Sequence, residues 1–191
     1  MNLHESTTDE MLHAAVAVAG KGAASLRELD ALPAPIYLTD PAGTVTYFNR
    51  ACISFAGRTP VVGADSWCVT WKLYTEEGRF LPHDECPMAV AIKEKREVRG
   101  VEAIAERPDG TRVRFRPYPT PLIDDEGKLS GALNMLIGLP DSEQIAFLQK
   151  QAQRCSRLAA STMDDRTATT LATMALEYSR EAERLERIGV N

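Results

Sequence analysis

The chain has 191 residues, a length that suits one domain with helical additions better than two full domains. Hydrophobic residues make up 44% and charged residues 26%, a globular composition that excludes a disordered chain or a fibre. The net charge is −5 and the pI is about 5.3. This acidity argues against nucleic acid or an anionic membrane as the main partner, because both attract basic surfaces.

The cysteines and the early apolar stretch bear on where the protein resides. Cys52, Cys68, Cys86 and Cys155 form no CxxC pair, and a chain of this length needs no disulfide framework. The apolar stretch over 11–20 is about half of the roughly 20 residues that a membrane-spanning helix needs. Acidic residues precede it, which does not suit a secretory signal. We therefore expect a reduced, cytoplasmic protein without membrane insertion.

The first segment, residues 1–24, is rich in alanine, and its apolar positions over 11–18 follow a helical period. This pattern predicts an N-terminal helix that ends near Gly20. A second, short helix is predicted over 25–32, with Ser25 as its N-cap.

Turn signals recur through the middle of the chain. Residues 40–43 read Asp-Pro-Ala-Gly, the pattern of a type I turn. Residues 107–110 and 124–127 carry similar turn signals between runs of β-forming residues. The pattern predicts about five strands joined as hairpins, and therefore an antiparallel sheet.

Helical patches lie between the second and third of these predicted strands. Asn49 is the expected N-cap of a helix over 50–56, and a proline opens another helix over 87–95. Trp67 and Trp71 are four residues apart and would share a helix face. The order of elements predicts an α+β domain with these helices on one face of the sheet.

The last segment, residues 140–191, reads as a helical hairpin. Asp141 or Ser142 is the expected cap of its first helix, and residues 163–165 interrupt the helical pattern. The hairpin could fold on itself, on the sheet domain or on a second chain. The second helix carries apolar residues at heptad spacing: Leu171, Ala175, Tyr178, Ala182 and Leu185.

Several motifs of the middle segment occur in a characteristic order. They lie at residues 34–40, 48–49, 81–89, 106–111 and 119–122. Together they resemble a PAS domain of the kind found ahead of bacterial sensor histidine kinases, over residues 25–139. The resemblance implies a five-stranded antiparallel sheet that cups short helices, with a pocket between them.

The resemblance places the Asn134 side of the last strand in that pocket. A buried amide must be hydrogen-bonded, either to a ligand or to the protein itself. The candidate pocket residues are Trp71, Met88, Ile92, Phe115, Asn134 and Leu136.

The sequence argues against haem, flavin and metal as cofactors. The flavin-binding version of the family has a cysteine in an Asn-Cys-Arg-Phe-Leu-Gln run, and Cys52 lies too early and lacks the Arg and Gln. Haem would need a histidine on the helix over 87–95, whereas His83 lies in a polar turn. Cys68, His83 and Cys86 offer three ligands at a spacing foreign to zinc sites. We expect no resident cofactor, while an unidentified small-molecule ligand stays open.

The sequence contains none of the catalytic residue sets or motifs considered next. The chain has three histidines, and His4 and His13 lie in the N-terminal segment, so a Ser/His/Asp or Cys/His set is not expected. A glycine-rich phosphate loop is missing from the sequence, as are the phospho-acceptor and ATP-binding motifs of a histidine kinase. We therefore predict a protein that is not an enzyme.

Two surfaces are candidates for partner binding. Arg112, Arg114 and Arg116 alternate with apolar residues and give the predicted fourth strand a cationic face. This face could receive an acidic partner, or Glu102 or Glu106 could neutralise it. The second surface is on the C-terminal hairpin, at Leu171, Tyr178 and Leu185.

These observations lead to one functional hypothesis and one alternative. The chain is predicted to be a standalone cytoplasmic PAS-domain protein of bacterial signal transduction, which regulates a sensor kinase or regulator by contact. The family commonly pairs through its N-terminal helix and sheet, so a homodimer using the stripe over 11–18 is expected. Residues 138–140 read Gly-Leu-Pro where the family usually has Asp-Ile-Thr, so the usual exit route for the signal is in doubt. The alternative is a small-molecule sensor with a ligand in the pocket.

Overall fold

The computed structural model describes residues 3–124, 126–139 and 142–189. The chain divides into two compact units, Met1–Gly138 and Leu139–Asn191. No helix among the described residues is long and apolar enough to cross a membrane.

The first unit has the predicted α+β architecture, built on one antiparallel sheet. The strands are β1 (Ile36–Thr39), β2 (Val45–Phe48), β3 (Lys72–Thr75), β4 (Phe80–Leu81), β5 (Ala103–Glu106), β6 (Arg112–Ile123) and β7 (Leu129–Gly138). Their order across the sheet is β2-β1-β7-β6-β5-β3-β4. The prediction of five strands is wrong, because the structure adds the edge hairpin of β3 and β4. A two-residue strand is too short to give an alternating pattern that sequence can reveal.

β6 contains prolines at three alternate positions, Pro117, Pro119 and Pro121. A proline has no N–H and is normally excluded from the middle of a sheet. Here β5 pairs with β6 only as far as Phe115, so the prolines lie on a stretch with an open edge. The carbonyl of Pro119 on that edge accepts a hydrogen bond from the Arg99 guanidinium at 2.8 Å.

The sheet has two differently covered faces, which we call the inner and the outer face. On the inner face, α2 (Arg50–Ala56) and α3 (Pro87–Glu94) bury side chains in one apolar cluster with Tyr37, Phe115 and Leu136. α3 begins at the predicted proline and ends where Lys95 adopts a left-handed conformation. Alternation along the strands sends every second side chain into this cluster.

The outer face is covered by α1 (Leu3–Gly20) and by a 3-10 helix over Ala23–Ala31. Leu12 and Ala15 of α1 are buried in a second apolar cluster with side chains of β1 and β7. The expectation that the stripe over 11–18 is exposed for pairing is therefore wrong, because the chain's own sheet covers it. The predicted helix over 25–32 is a 3-10 helix, and its N-cap is Gly22 rather than Ser25.

Asn49 stands immediately before α2, as predicted, but its side chain does not cap that helix. It is fully buried and bonds three backbone groups. Its Oδ1 accepts from the N–H of Ile36 at 2.9 Å, and its Nδ2 donates to the carbonyls of Leu29 and Ala34 at 3.0 and 2.9 Å. The amide thus joins the 3-10 helix, the start of β1 and the start of α2.

The two tryptophans do not share a helix, so that prediction is wrong. Trp67 has a φ of +66°, and its ring lies directly over Gly43, where an added Cβ would be 2.3 Å from a ring atom. A single glycine therefore makes room for the indole. Trp71 lies four residues further on in an irregular segment and is 53% exposed.

The second unit is an antiparallel helical hairpin, as predicted. α4 (Ser142–Ser161) and α5 (Asp165–Gly189) pack against each other along their length. The helical pattern breaks between Thr162 and Asp164, where the Asp164 carboxylate accepts from the N–H of Thr167 at 2.9 Å. The predicted cap Asp141, the exit residue Pro140 and the side chain of Ser142 lie outside the described residues.

Candidate functional site

The inner-face cluster brings together most of the predicted pocket residues. Met88 and Ile92 of α3 lie there with Phe115 and Leu136, and all four are buried. The ring of Phe115 meets that of Phe55 edge to face, with 5.2 Å between centroids. Trp71 does not join them, since it is half-exposed and outside the cluster.

Asn134 lies next to this apolar group and is 3% exposed. Its Nδ2 donates to the Tyr37 hydroxyl at 3.0 Å, and its Oδ1 accepts from the backbone N–H of Tyr118 at 3.0 Å. The Tyr37 hydroxyl in turn donates to the carbonyl of Trp67 at 2.9 Å. The two side chains are direct cross-strand partners in β1 and β7. The amide thus bonds to the protein itself, one of the two arrangements that the sequence left open.

The main chain of Trp67 forms one end of this hydrogen-bond network. Besides the Tyr37 hydroxyl, its carbonyl receives a contact from the Cys86 thiol at 3.8 Å, and its N–H donates to the carbonyl of Gly43 at 2.6 Å. A positive φ is uncommon for a residue with a bulky side chain. The sequence predicted a helix at Trp67, so it did not reveal that the main chain of Trp67 is bonded to residues of the inner face.

The three thiols of the first unit all lie in the inner-face cluster: Cys52, Cys68 and Cys86. Burial raises the pKa of Cys52 and that of Cys86 to about 12, and burial also raises the pKa of Cys68. A thiol in this state is neutral at physiological pH, so it is a poor nucleophile and a poor metal ligand. Among the described residues, no group of three or more His, Cys, Asp and Glu could hold a metal ion.

Thr39 places a buried hydroxyl on the inner face without a hydrogen-bond partner. The residue is 3% exposed, and it pairs in register with Ala132, which belongs to the inner-face cluster. An unpartnered buried hydroxyl costs about 1–3 kcal/mol. It stands two positions along β1 from Tyr37, so the phenol, the amide of Asn134 and the free hydroxyl line one side of β1 and β7.

His83 also has an unpartnered buried atom, its Nε2. Burial lowers the pKa of this imidazole, and the nearby Arg58 guanidinium lowers it further, while Asp65 and Asp84 oppose the shift. Arg58 itself is bound to Asp65 at 2.6 Å. The folded state therefore favours the neutral imidazole.

A pH dependence of stability follows from His83. Because the pKa of His83 is lower in the folded state, its contribution to the free energy of unfolding is intact above the unfolded-state pKa of about 6.5. This contribution is lost as the pH falls through the folded-state pKa. We expect His83→Gln to flatten the fall in unfolding free energy between about pH 7 and pH 5. Urea titrations of both chains at several pH values measure this. Parallel curves for the two chains would contradict it.

The three arginines of β6 lie on the side opposite Phe115, and each is paired with a glutamate. Arg112 bonds Glu106 at 2.8 Å, while Arg114 and Arg116 share Glu102 at 2.9 and 2.7 Å. The Arg112 guanidinium holds the pKa of Glu106 below its usual value. The glutamates therefore neutralise the arginines, which is the alternative to binding an acidic partner that the sequence left open.

The structure places the three hairpin candidates on the side of α5 that packs against α4. Leu185 is 9% exposed, and Leu171 and Tyr178 are half-buried at the same helical period. The exposed large apolar side chains of the hairpin are therefore other residues, Phe147, Leu158, Met163, Met174 and Leu176.

No family model and no curated protein matches this chain. Solved structures are similar to it. A light-oxygen-voltage domain described with a flavin analogue is 13% identical, covers 69% of this chain and 96% of its own, and has a TM-score of 0.47. The light-oxygen-voltage domain of the blue-light-activated histidine kinase of Erythrobacter litoralis EL346 is 21% identical, over 58% of this chain and 99% of its own, with a TM-score of 0.45.

A PAS domain from Colwellia psychrerythraea is 15% identical, over 58% of this chain and 90% of its own, with a TM-score of 0.39. The chain resembles PAS domains. We accordingly call its first unit the PAS-like domain. The five strands that the resemblance implied are β1, β2, β5, β6 and β7, and the hairpin of β3 and β4 extends them at one edge.

The expectation that argued against flavin is contradicted: the similar solved structures include light-oxygen-voltage domains, and one of these was described with a flavin analogue. That expectation rested on the early position of Cys52 and on the missing Arg and Gln of the flavin-binding run. A planar ring can be held by apolar side chains and by donors and acceptors at other positions, so one missing run does not decide binding. The expectation about haem stays a prediction.

Proposed function

We propose that the chain is a sensor whose PAS-like domain binds a small molecule on the inner face of the sheet. The observation that carries this is the Thr39 hydroxyl, which is buried beside the bonded pair of Tyr37 and Asn134 and has no partner. A ligand pocket is commonly an apolar enclosure with a few polar groups that fix orientation. The inner face has this composition.

The chemical types of these side chains suit a flavin. The phenol, the amide and the hydroxyl offer donors and acceptors for the carbonyl and N–H groups of such a ring, and Phe115 and Met88 offer apolar contact. A bound flavin would supply light absorption and redox chemistry. Tyr37 and Asn134 would exchange their mutual hydrogen bond for bonds to the ligand, and Asn134 lies in β7, the strand that ends this domain at Gly138.

The signal then passes to another protein by contact, and the chain acts by binding rather than by catalysis. In this proposal the partner is a sensor kinase or regulator of a two-component pathway, and the setting is the cytoplasm. Two properties of the inner face support binding rather than catalysis. Its thiols are neutral, so they are not activated nucleophiles. Its polar groups can form hydrogen bonds with a ligand.

The test uses Thr39→Val, which removes the hydroxyl while keeping the shape of the side chain. In the ligand-free chain, we expect unchanged or higher thermal stability, because an unpartnered hydroxyl is removed. For a bound ligand, we expect an affinity loss of about tenfold, because a hydrogen bond is lost. Flavin mononucleotide is the first probe, and thermal shift and isothermal titration measure the two effects.

Thr120→Val is the matched control, since this buried hydroxyl is bonded to Arg99 at 2.9 Å. We expect it to lower stability and to leave ligand affinity unchanged. The purified chain should also release a small molecule on denaturation, seen by mass spectrometry. A chain that carries nothing and shows no thermal shift with flavin mononucleotide or a metabolite panel would refute the proposal.

A further inference from the structure

Trp67 adopts a main-chain conformation that a bulky side chain disfavours. Its φ is +66°, and among the described residues Lys95 is the other non-glycine residue with a positive φ. Lys95 ends α3, a position where a left-handed residue is common. Trp67 ends no helix and lies in the irregular segment between α2 and β3. Its conformation is therefore maintained by the contacts around it.

Trp67 is held through both its main chain and its ring. Its N–H donates to the carbonyl of Gly43 at 2.6 Å, and its carbonyl accepts from the Tyr37 hydroxyl at 2.9 Å. The ring contacts Gly43, and the Lys93 ammonium lies 5.4 Å from the ring centroid, a cation–π distance. Tyr37 is fully buried, so its bond links Trp67 to the inner face.

The Tyr37 hydroxyl can serve either Trp67 or a ligand, because a phenol has one O–H to donate. In the structure it donates to the Trp67 carbonyl and accepts from Nδ2 of Asn134 at 3.0 Å. A ligand with a carbonyl acceptor on the inner face takes the same O–H, and the Trp67 carbonyl then loses this partner. One hydrogen bond and the strain of a positive φ are of similar size, so losing the bond is enough to change the conformation of Trp67.

We propose that the hydrogen bond between Tyr37 and Trp67 is a switch: a ligand that takes the Tyr37 hydroxyl releases the indole of Trp67 from Gly43 and Lys93. The segment between α2 and β3 then changes conformation at the surface according to the state of the inner face. This route does not pass through residues 138–140, which lack the Asp-Ile-Thr of the family. The switch rests on the proposed function for the event that takes the hydroxyl, and it can be tested without a ligand.

Tryptophan fluorescence and amide hydrogen exchange test the switch. The chain has two tryptophans, so Trp71→Phe leaves Trp67 as the single tryptophan of a reporter chain. Adding Tyr37→Phe removes the hydroxyl and keeps the ring. We expect the emission of Trp67 to move to longer wavelength and its quenching by acrylamide to increase, because the indole enters water. Protection of the Trp67 N–H from exchange should fall about tenfold, the factor that corresponds to one hydrogen bond. Unchanged emission and exchange would overturn the switch.

Tyr47→Phe in the reporter chain is the matched control, because the Tyr47 hydroxyl is also buried but has no hydrogen-bond partner. Asn134→Ala is a second control, because it removes the other partner of the Tyr37 hydroxyl and leaves the bond to Trp67. Both should leave the emission of Trp67 unchanged. The same shift in either control as in Tyr37→Phe would overturn the proposal, since the response would not depend on the bond between Tyr37 and Trp67. Circular dichroism of each variant checks that it is folded.

Hydrogen exchange of the wild-type chain tests the switch without any substitution. Local release predicts that the Trp67 N–H is at least about tenfold less protected than the N–H of Leu136, which bonds the carbonyl of Pro35 at 2.9 Å. Equal protection of the two groups would overturn the switch, because Trp67 would then be released only when the domain unfolds.

Flavin mononucleotide is the probe for the ligand-bound state. Saturation with it should lower the protection of the Trp67 N–H by about a further tenfold. A chain that binds flavin mononucleotide without a change at Trp67 would overturn the switch and leave the proposed function intact. A chain that responds to Tyr37→Phe but binds neither flavin mononucleotide nor any compound of a metabolite panel would refute the proposed function and leave the bond between Tyr37 and Trp67 as the element that holds this segment.

Discussion

Replacing Asn49 with alanine is expected to lower the free energy of unfolding of the PAS-like domain by about 3–5 kcal/mol. The side chain bonds one buried N–H and two carbonyls, those of Ile36, Leu29 and Ala34. The N–H of Ile36 and the carbonyl of Ala34 would each be left without a partner at a cost of about 1–3 kcal/mol, partly relieved by relaxation or an entering water. The carbonyl of Leu29 would keep its bond from the N–H of Leu32 at 3.2 Å. Urea titration followed by tryptophan fluorescence measures the loss.

Asp30→Ala is the matched control for Asn49→Ala. Asp30 also bonds the start of α2, where its carboxylate accepts from the N–H of Arg50 at 2.9 Å, but the bond is exposed. Water can replace an exposed partner, so a loss of about 1 kcal/mol or less is expected. If Asn49→Ala costs no more than this control, the buried amide does not hold the three segments together.

Gly131→Ala is the second substitution with a large expected effect, a loss of about 3 kcal/mol or more. Gly131 lies in β7 with a φ of +152°, and an added Cβ would be 2.1 Å from the carbonyl oxygen of Thr39 in β1. The obstacle is main chain, so it cannot rotate away. The two strands must separate, and with them the partners Tyr37 and Asn134. Thermal and urea unfolding both measure the effect.

Gly127→Ala separates backbone strain from the close approach. Gly127 has a φ of +77°, but an added Cβ would find no atom within 4 Å. It should therefore cost only the conformational penalty, about 1–2 kcal/mol. Similar losses in the two variants would show that the contact with Thr39 is not what makes Gly131 necessary.

The turns are the part of the fold that the sequence predicted best. The carboxylate of Asp40 accepts from the N–H of Ala42 and of Thr44, each at 2.9 Å. Gly43 adopts a positive φ at the end of the same turn. Asp124 makes the same kind of bonds to the N–H groups of Glu126 and Lys128. A turn of this type is stabilised within a few residues, so its signal is local.

Asn49 and Trp67 show where local signals failed. An asparagine before a helix usually caps it, yet burial beside the main chain of Leu29, Ala34 and Ile36 gave the Asn49 amide a different role. Trp67 stands four residues from Trp71, but its main chain is held by Gly43 and Tyr37 in a conformation that excludes a helix. In both cases the partners are distant in the sequence, so spacing could not reveal them.

The candidate site divides in the same way. Alternation predicted that Phe115 is on the buried side of its strand and that Asn134 and Leu136 share a side of theirs, and the resemblance to PAS domains placed that side in the pocket. The structure brings these residues together with Met88 and Ile92 of α3. The contribution of β1 was missed, although Tyr37 and Thr39 alternate with apolar residues. An uninterrupted run of four buried residues gives no pattern that distinguishes one face from the other.

The amino-acid sequence by itself determined the antiparallel sheet with its turns, the helical hairpin and the resemblance to PAS domains, since these depend on local turn chemistry, periodicity and motif order. The tertiary structure alone decided that α1 covers the outer face, that β6 tolerates three prolines at an open edge and that the hydroxyl of Thr39 is left unpartnered. These outcomes depend on which strands become neighbours, and that choice is made by the packing of the whole domain rather than by any one segment.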